Sequence, residues 1–253
     1  MNSPYPVTLL SAALIAVPAP ATGQTIIIND SLSAHADRMV VKKGAQWTGR
    51  IARWSFGEYA VVSSKGGSTA VDTRRNLLNT ATDSTSSQKF SFVMTNRTGD
   101  SAWVDAAHNV WVQALRGLAL GHGFSLGGTD TVWQSDNFIA FITINRDTTD
   151  TWTLLMGLDQ SETHTEYASI LSNGERRLEV TFVSSDRKRR MPPPYLSSLG
   201  YEFVENGRSL GAVQVLGMSL REPYLVWLDR GLDARMKLIL SAAMTAVLQS
   251  NSH

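Results

Sequence analysis

The stretch that most limits what this chain can fold into lies near its end: from Met236 to Leu248 only Lys237, Ser241 and Thr245 are polar. A surface helix shows one apolar stripe, so a helix that is apolar nearly all round has to be enclosed by protein or by lipid. Crossing a bilayer takes about 20 apolar residues, more than this stretch holds. The enclosure therefore falls to the segments before it.

Those segments read as strands. Trp47–Phe56 and Tyr59–Val62 flank a Gly57-Glu58 turn, and Phe90–Thr95 returns through Asn96–Asp100 to Ala102–Asp105. Phe138–Ile144 precedes Trp152–Met156, Tyr167–Leu171 meets Leu178–Val183 across Asn173-Gly174, and Gly200–Val204 meets Leu210–Val215 across Asn206-Gly207, before Tyr224–Leu228. Asn-Gly between alternating runs is the strongest short-range hairpin signal. About ten to twelve strands result, with none of the strand-helix alternation of a doubly wound fold. The expected fold is mainly β: one antiparallel barrel-like or sandwich domain over residues 24–253, around a buried C-terminal helix at about 232–249. Asp229 or Asp233 can cap that helix, and Ser241 and Thr245 can bond carbonyls of their own preceding turn. Residues 63–89, rich in Ser, Thr, Gly, Asn and charge, are expected as a long mobile loop.

At 253 residues and 43% hydrophobic, the chain can bury a sizeable core. Its 23 basic and 22 acidic residues leave a net charge of +1, so no global field draws it toward nucleic acid. The absence of cysteine excludes disulfides, thiolate metal sites and a cysteine nucleophile. Val7–Val17 is an apolar run followed by Pro18-Ala-Pro-Ala21 and Thr22-Gly23, the pattern of an export signal over residues 1–23 with cleavage after Ala21 or Gly23. Its departure from the pattern is the lack of any charge between Met1 and Gly23.

The ending Gly200–Val215, Tyr224–Asp233 and Met236–Leu240 resembles tubby-like proteins of the LURP-one and scramblase-related kind. The likeness covers roughly the last fifty residues and rests on a pattern of residue types. It implies a twelve-stranded barrel closed around the helix and a link to lipid binding. No binding residue is implied by it.

Gly123-Phe124-Ser125-Leu126-Gly127 fits the G-x-S-x-G nucleophile elbow, and His164 downstream would complete a serine esterase as its base. An elbow needs a helix directly after the serine, whereas Gly127-Gly128-Thr129-Asp130 starts a helix poorly and β-forming residues come next. A glycine-rich strand or bulge suits these residues better, and no catalytic residue is expected. His164 with Glu162 or Glu166 gives too few ligands for zinc, and no metal or other cofactor is expected. Arg187, Lys188, Arg189 and Arg190, ahead of Met191-Pro-Pro-Pro194, form the one dense basic run, a candidate for anionic lipid head groups at a membrane surface. A membrane barrel is disfavoured because the strands read shorter than the ~10 residues it needs and the chain ends in a helix. The protein expected is an exported, non-enzymatic binding or structural module of the cell envelope, for lipid or another apolar ligand.

Overall fold

The computed structural model describes residues 25–46, 49–66, 70–75, 81–119, 125–161, 165–185, 199–216 and 224–252. A short helix α1 (Asp30–His35) leads into β1 (Ala36–Val40) and β2 (Lys42–Lys43), then β3 (Trp54–Phe56), β4 (Tyr59–Gly66) and β5 (Ala70–Arg75). Four long strands come next: β6 (Ala81–Thr95), β7 (Ser101–Ala119), β8 (Ser125–Ile144) and β9 (Asp147–Ser161). The chain then makes β10 (Thr165–Ser172), β11 (Arg177–Ser184), β12 (Leu199–Glu205), β13 (Arg208–Leu216), β14 (Leu225–Asp229) and the helix α2 (Ala234–Ser250).

All fourteen strands belong to one antiparallel sheet, ordered β1-β14-β13-β12-β11-β10-β9-β8-β7-β6-β4-β3-β2, with β5 also on β6. The two ends of that path are one piece of chain. β1 pairs with β14 from Ala36↔Asp229 to Val40↔Leu225, the Val41 amide donates to the Tyr224 carbonyl at 2.9 Å, and Lys42 then pairs with Ser55 of β3. A single run, 36–43, thus bridges first to last stave. Counting it once, twelve staves surround the interior.

The hairpins form where the sequence demands left-handed backbone. Asn206 (φ 49°) and Gly207 (φ 78°) turn β12 into β13, and Asn145 (φ 52°) with Arg146 (φ 62°) turns β8 into β9. Both pairs have the positive φ values of a type I′ turn, which matches the twist of the flanking strands. The β8–β9 turn is tighter than the Arg146–Asp150 connection expected from sequence, because Asp147–Asp150 already belongs to β9.

The interior is filled by α2. Asp233 is its N-cap, accepting from the Met236 amide at 2.7 Å, and Met236 and Leu238 through Gln249 are buried. Inward residues of every wall meet it, among them Met94, Ile142, Leu154, Phe203 and Val213. Gln249 is 1% exposed near the helix end, and its side-chain carbonyl accepts from Trp54 Nε1 at 3.0 Å. The two hydroxyls do not turn back on their own helix as expected: Thr245 Oγ1 faces Met94 Sδ at 3.9 Å, and Ser241 Oγ is buried without a hydrogen-bond partner. A smaller cluster on the outer wall, Ile26, Leu32, Ala36, Ala212, Leu225 and Trp227, fastens residues 26–36 across β13 and β14.

Two sequence expectations change. Residues 63–89 are largely strand, since β4 runs to Gly66, β5 covers Ala70–Arg75 and β6 begins at Ala81. Their Ser/Thr composition hides this because ladder pairing, from Ala70↔Ser87 and Ala81↔Leu115 onward, replaces apolar alternation as the organising signal. Strands β6 to β9 are also long, at 15, 19, 20 and 15 residues. Length therefore gives no ground against a membrane barrel. The apolar, helix-filled interior does, being the reverse of the polar lumen such barrels carry.

Candidate functional site

With α2 occupying the interior, the described openings lie on the outer wall. Strand alternation sends Phe90, Val104, Ala106, Phe138 and Ala140 inward and their neighbours outward. On the outside, Lys89↔Ala107↔Ile139 and Ser91↔Asp105↔Phe141 make two adjacent rows across β6, β7 and β8, with Lys65 of β4 opposite Ser91. These rows line a groove of about 360 Å³ whose floor includes Ile139 and Phe141. Phe141 is 47% exposed and Leu155, one strand on, is 39% exposed. Large apolar side chains in adjoining rows of a wall that is otherwise polar outside mark a surface for an apolar partner.

A second cavity of about 290 Å³ adjoins it, lined by Arg50, Arg53, Lys65, Ile51, Val61 and Val62 among others. The loop before β3 builds it. The Gly44 amide donates to the Arg53 carbonyl and the Gly66 amide to the Gly49 carbonyl, both at 2.8 Å, which folds residues 44–53 onto the end of β4. Gly66 permits this approach, since a Cβ there would sit 3.2 Å from the backbone of Gly49 and Arg50. On the other side a bulge between Val61 and Ser63 turns Val62 outward, 56% exposed.

No acidic residue lines the second cavity, and none of Arg50, Arg53 and Lys65 has an ion-pair partner among the described residues. Unpaired cations around a concavity make a receptor for an anion. Lys65 lines both cavities, so the cationic pocket opens beside the apolar groove. An apolar stem in one and an anionic group in the other would sit side by side, with the Lys65 methylenes and ammonium spanning the boundary.

The shifted carboxylates lie elsewhere, at the hairpin end near the start of α2. Asp150 is held below its ordinary range by the Asn173 amide at 2.7 Å and by Arg235, and Glu205 by its two bonds from Arg176 at 2.9 Å. Asp100 and Asp147 are lowered by their own turn donors, Asn145 and Thr149 first among them. Each acid is thus engaged by a structural donor. No group of three or more His, Asp or Glu among the described residues is arranged to hold a metal ion.

The residues singled out from sequence are not gathered at this site. Ser125 is the first residue of β8, opposite Ala119, and the chain runs on from it as strand rather than helix. Gly123, Phe124 and His164 lie outside the described residues, as do Arg187, Lys188, Arg189 and Arg190. The sequence hides the groove and pocket because Lys65 and Lys89 sit in the stretch that reads as a loop. One signal is present: Phe138-Ile-Ala-Phe-Ile-Thr-Ile144 is apolar at 139 and 141 as well as at the inward positions, where a half-buried strand would alternate.

Fold and site together define a class: an antiparallel barrel plugged by its own terminal helix, with its ligand-sized concavities on the outer wall. No protein-family model, no curated protein and no solved structure matches the chain.

Proposed function

We propose that this protein is an exported, non-enzymatic binding module of the cell envelope or the space outside it, and that it takes an anionic amphiphile at the lipid–water boundary on its outer wall. The observation that carries the reading is the shared position of Lys65 between an apolar groove and a pocket of unpaired cations. The interior offers no alternative berth among the described residues, being packed by α2. The apolar leader supports export, and the resemblance of the C-terminal segment to tubby-like proteins supports a lipid ligand.

Co-sedimentation with vesicles tests it. The protein should pellet with phosphatidylcholine vesicles doped with an anionic phospholipid and stay in solution with phosphatidylcholine alone. A basic side chain near an anionic surface is worth about 1 kcal/mol, so replacing Arg50, Arg53 and Lys65 by Ser together should weaken binding on the order of 100-fold. Phe141→Ser should weaken it by an order of magnitude at unchanged salt dependence. Neutralising Arg187 to Arg190 is a separate arm: if that alone abolishes sedimentation and the Lys65 set has no effect, the outer-wall site is wrong. Equal pelleting with both vesicle types would sink the anionic reading.

A further inference from the structure

One row crosses six strands without interruption: Ala70↔Ser87↔Asn109↔Asn137↔Gly157↔Ala168. From that row on, β5 to β10 continue as an extension of the barrel wall with two lateral edges. β5 has only β6 as a ladder partner. On the far side β10 pairs with β9 up to Thr165↔Gln160, whereas its pairing with β11 stops at Ile170↔Glu179, so Thr165–Ser169 has no second partner among the described residues. Unpaired strand edges are templates for another chain.

We propose that these two edges pair between copies of this chain, β5 of one copy adding to β10 of the next in a head-to-tail array. Three features of the edges fit each other. Their directions are opposite, because five antiparallel steps separate β5 from β10, so copies in the same orientation meet as antiparallel strands. Their lengths match, six residues in β5 against the five of Thr165–Ser169.

Their charges choose the register. Without a shift the six-strand row sets Asp72 level with Glu166, two like charges. A shift of two residues, one pleat repeat, places Arg74 opposite Glu166, Asp72 opposite Ala168, and Val71–Arg75 along the whole open stretch Ser169–Thr165. Closing a ring of tilted strands requires such a stagger. The contact is heterologous, so rotation per copy decides between a ring and a filament.

The absence of cysteine makes the test clean. In the full chain, Arg74→Cys and Glu166→Cys together should give covalent multimers on mild oxidation. A disulfide within one copy is out of reach, because five strand spacings separate the positions by roughly 24 Å and a disulfide needs Cα atoms within about 7 Å. Native mass spectrometry of the unmodified protein should show oligomers that grow with concentration. Arg74→Glu should weaken assembly about tenfold, and adding Glu166→Arg should restore it. A monomer at all concentrations with no covalent multimers overturns the proposal, as do multimers from the Arg74→Cys variant alone, which would mean that β5 pairs with itself. Failure of the charge swap to restore assembly overturns the register.

Discussion

Polar side chains in this core differ in how well they are satisfied. Gln249 sits at the helix end and accepts from Trp54 Nε1, so both groups keep a bond while buried. Ser241, fully buried on the same helix, has none for its hydroxyl. A buried hydroxyl without a partner costs about 1–3 kcal/mol in desolvation, and an apolar group of the same shape avoids it. Ser241→Ala should therefore raise stability by about 1 kcal/mol, read as a higher urea midpoint at unchanged slope. A loss of stability would mean that the hydroxyl bonds its own helix after all. Gly200 shows the opposite constraint, no room at all: a Cβ would collide with the Val213 carbonyl oxygen and lie 2.7 Å from Ile26 Cδ1.

The elements differ in how plainly the sequence announces them. The helix is visible because an apolar run with an aspartate at its head has few other uses, and Asp233 does cap it. The hairpins at 173–174 and 206–207 are visible because Asn-Gly supplies positive φ cheaply. Strands β5 and the first half of β6 are not, since Ser and Thr paired on both sides carry no period of two. The outer-wall site is hidden for the same reason at Lys65 and Lys89, and the loop that forms its cationic wall has no pattern until Gly66 lets it dock. Contacts between elements are also legible in pH dependence. Asp150 ties β9 to the β10–β11 turn through Asn173 and to the start of α2 through Arg235, at 2.7 and 2.6 Å. Its carboxyl is depressed in the fold relative to about 3.9 in an unfolded chain. The contribution is complete above that value and lost as pH falls through the lowered one, so stability should hold from pH 7 to about 5 and decline below about 4. Asp150→Asn should flatten this acid limb in urea titrations, and an unchanged limb would show that the link carries no stability.

For the molecule as a whole, wall and plug are interdependent. The wall closes through the run 36–43, which contacts β14 with one half and β3 with the other, so the seam between first and last staves has few rungs of its own. What holds twelve staves at this circumference is the object inside. Helix α2 buries Leu238, Ile239, Leu240, Met244, Val247 and Leu248 at or below 1% exposure. At ~1.5–3 kcal/mol each, their burial contributes on the order of 10–20 kcal/mol as an upper estimate, comparable to the entire stability of a typical domain. A barrel emptied of its helix would face water with Met94, Ile142, Leu154 and Phe203. A chain ending at Asp233 should therefore lose its cooperative thermal transition and bind an apolar dye while keeping β-type circular dichroism, the signature of a collapsed state without fixed packing. Adding residues 234–253 back as a separate peptide should restore the transition in a dose-dependent way, since a ligand of the native state stabilises it by mass action. A truncated chain that still melts sharply would show that the wall stands unaided and that the helix is cargo rather than core.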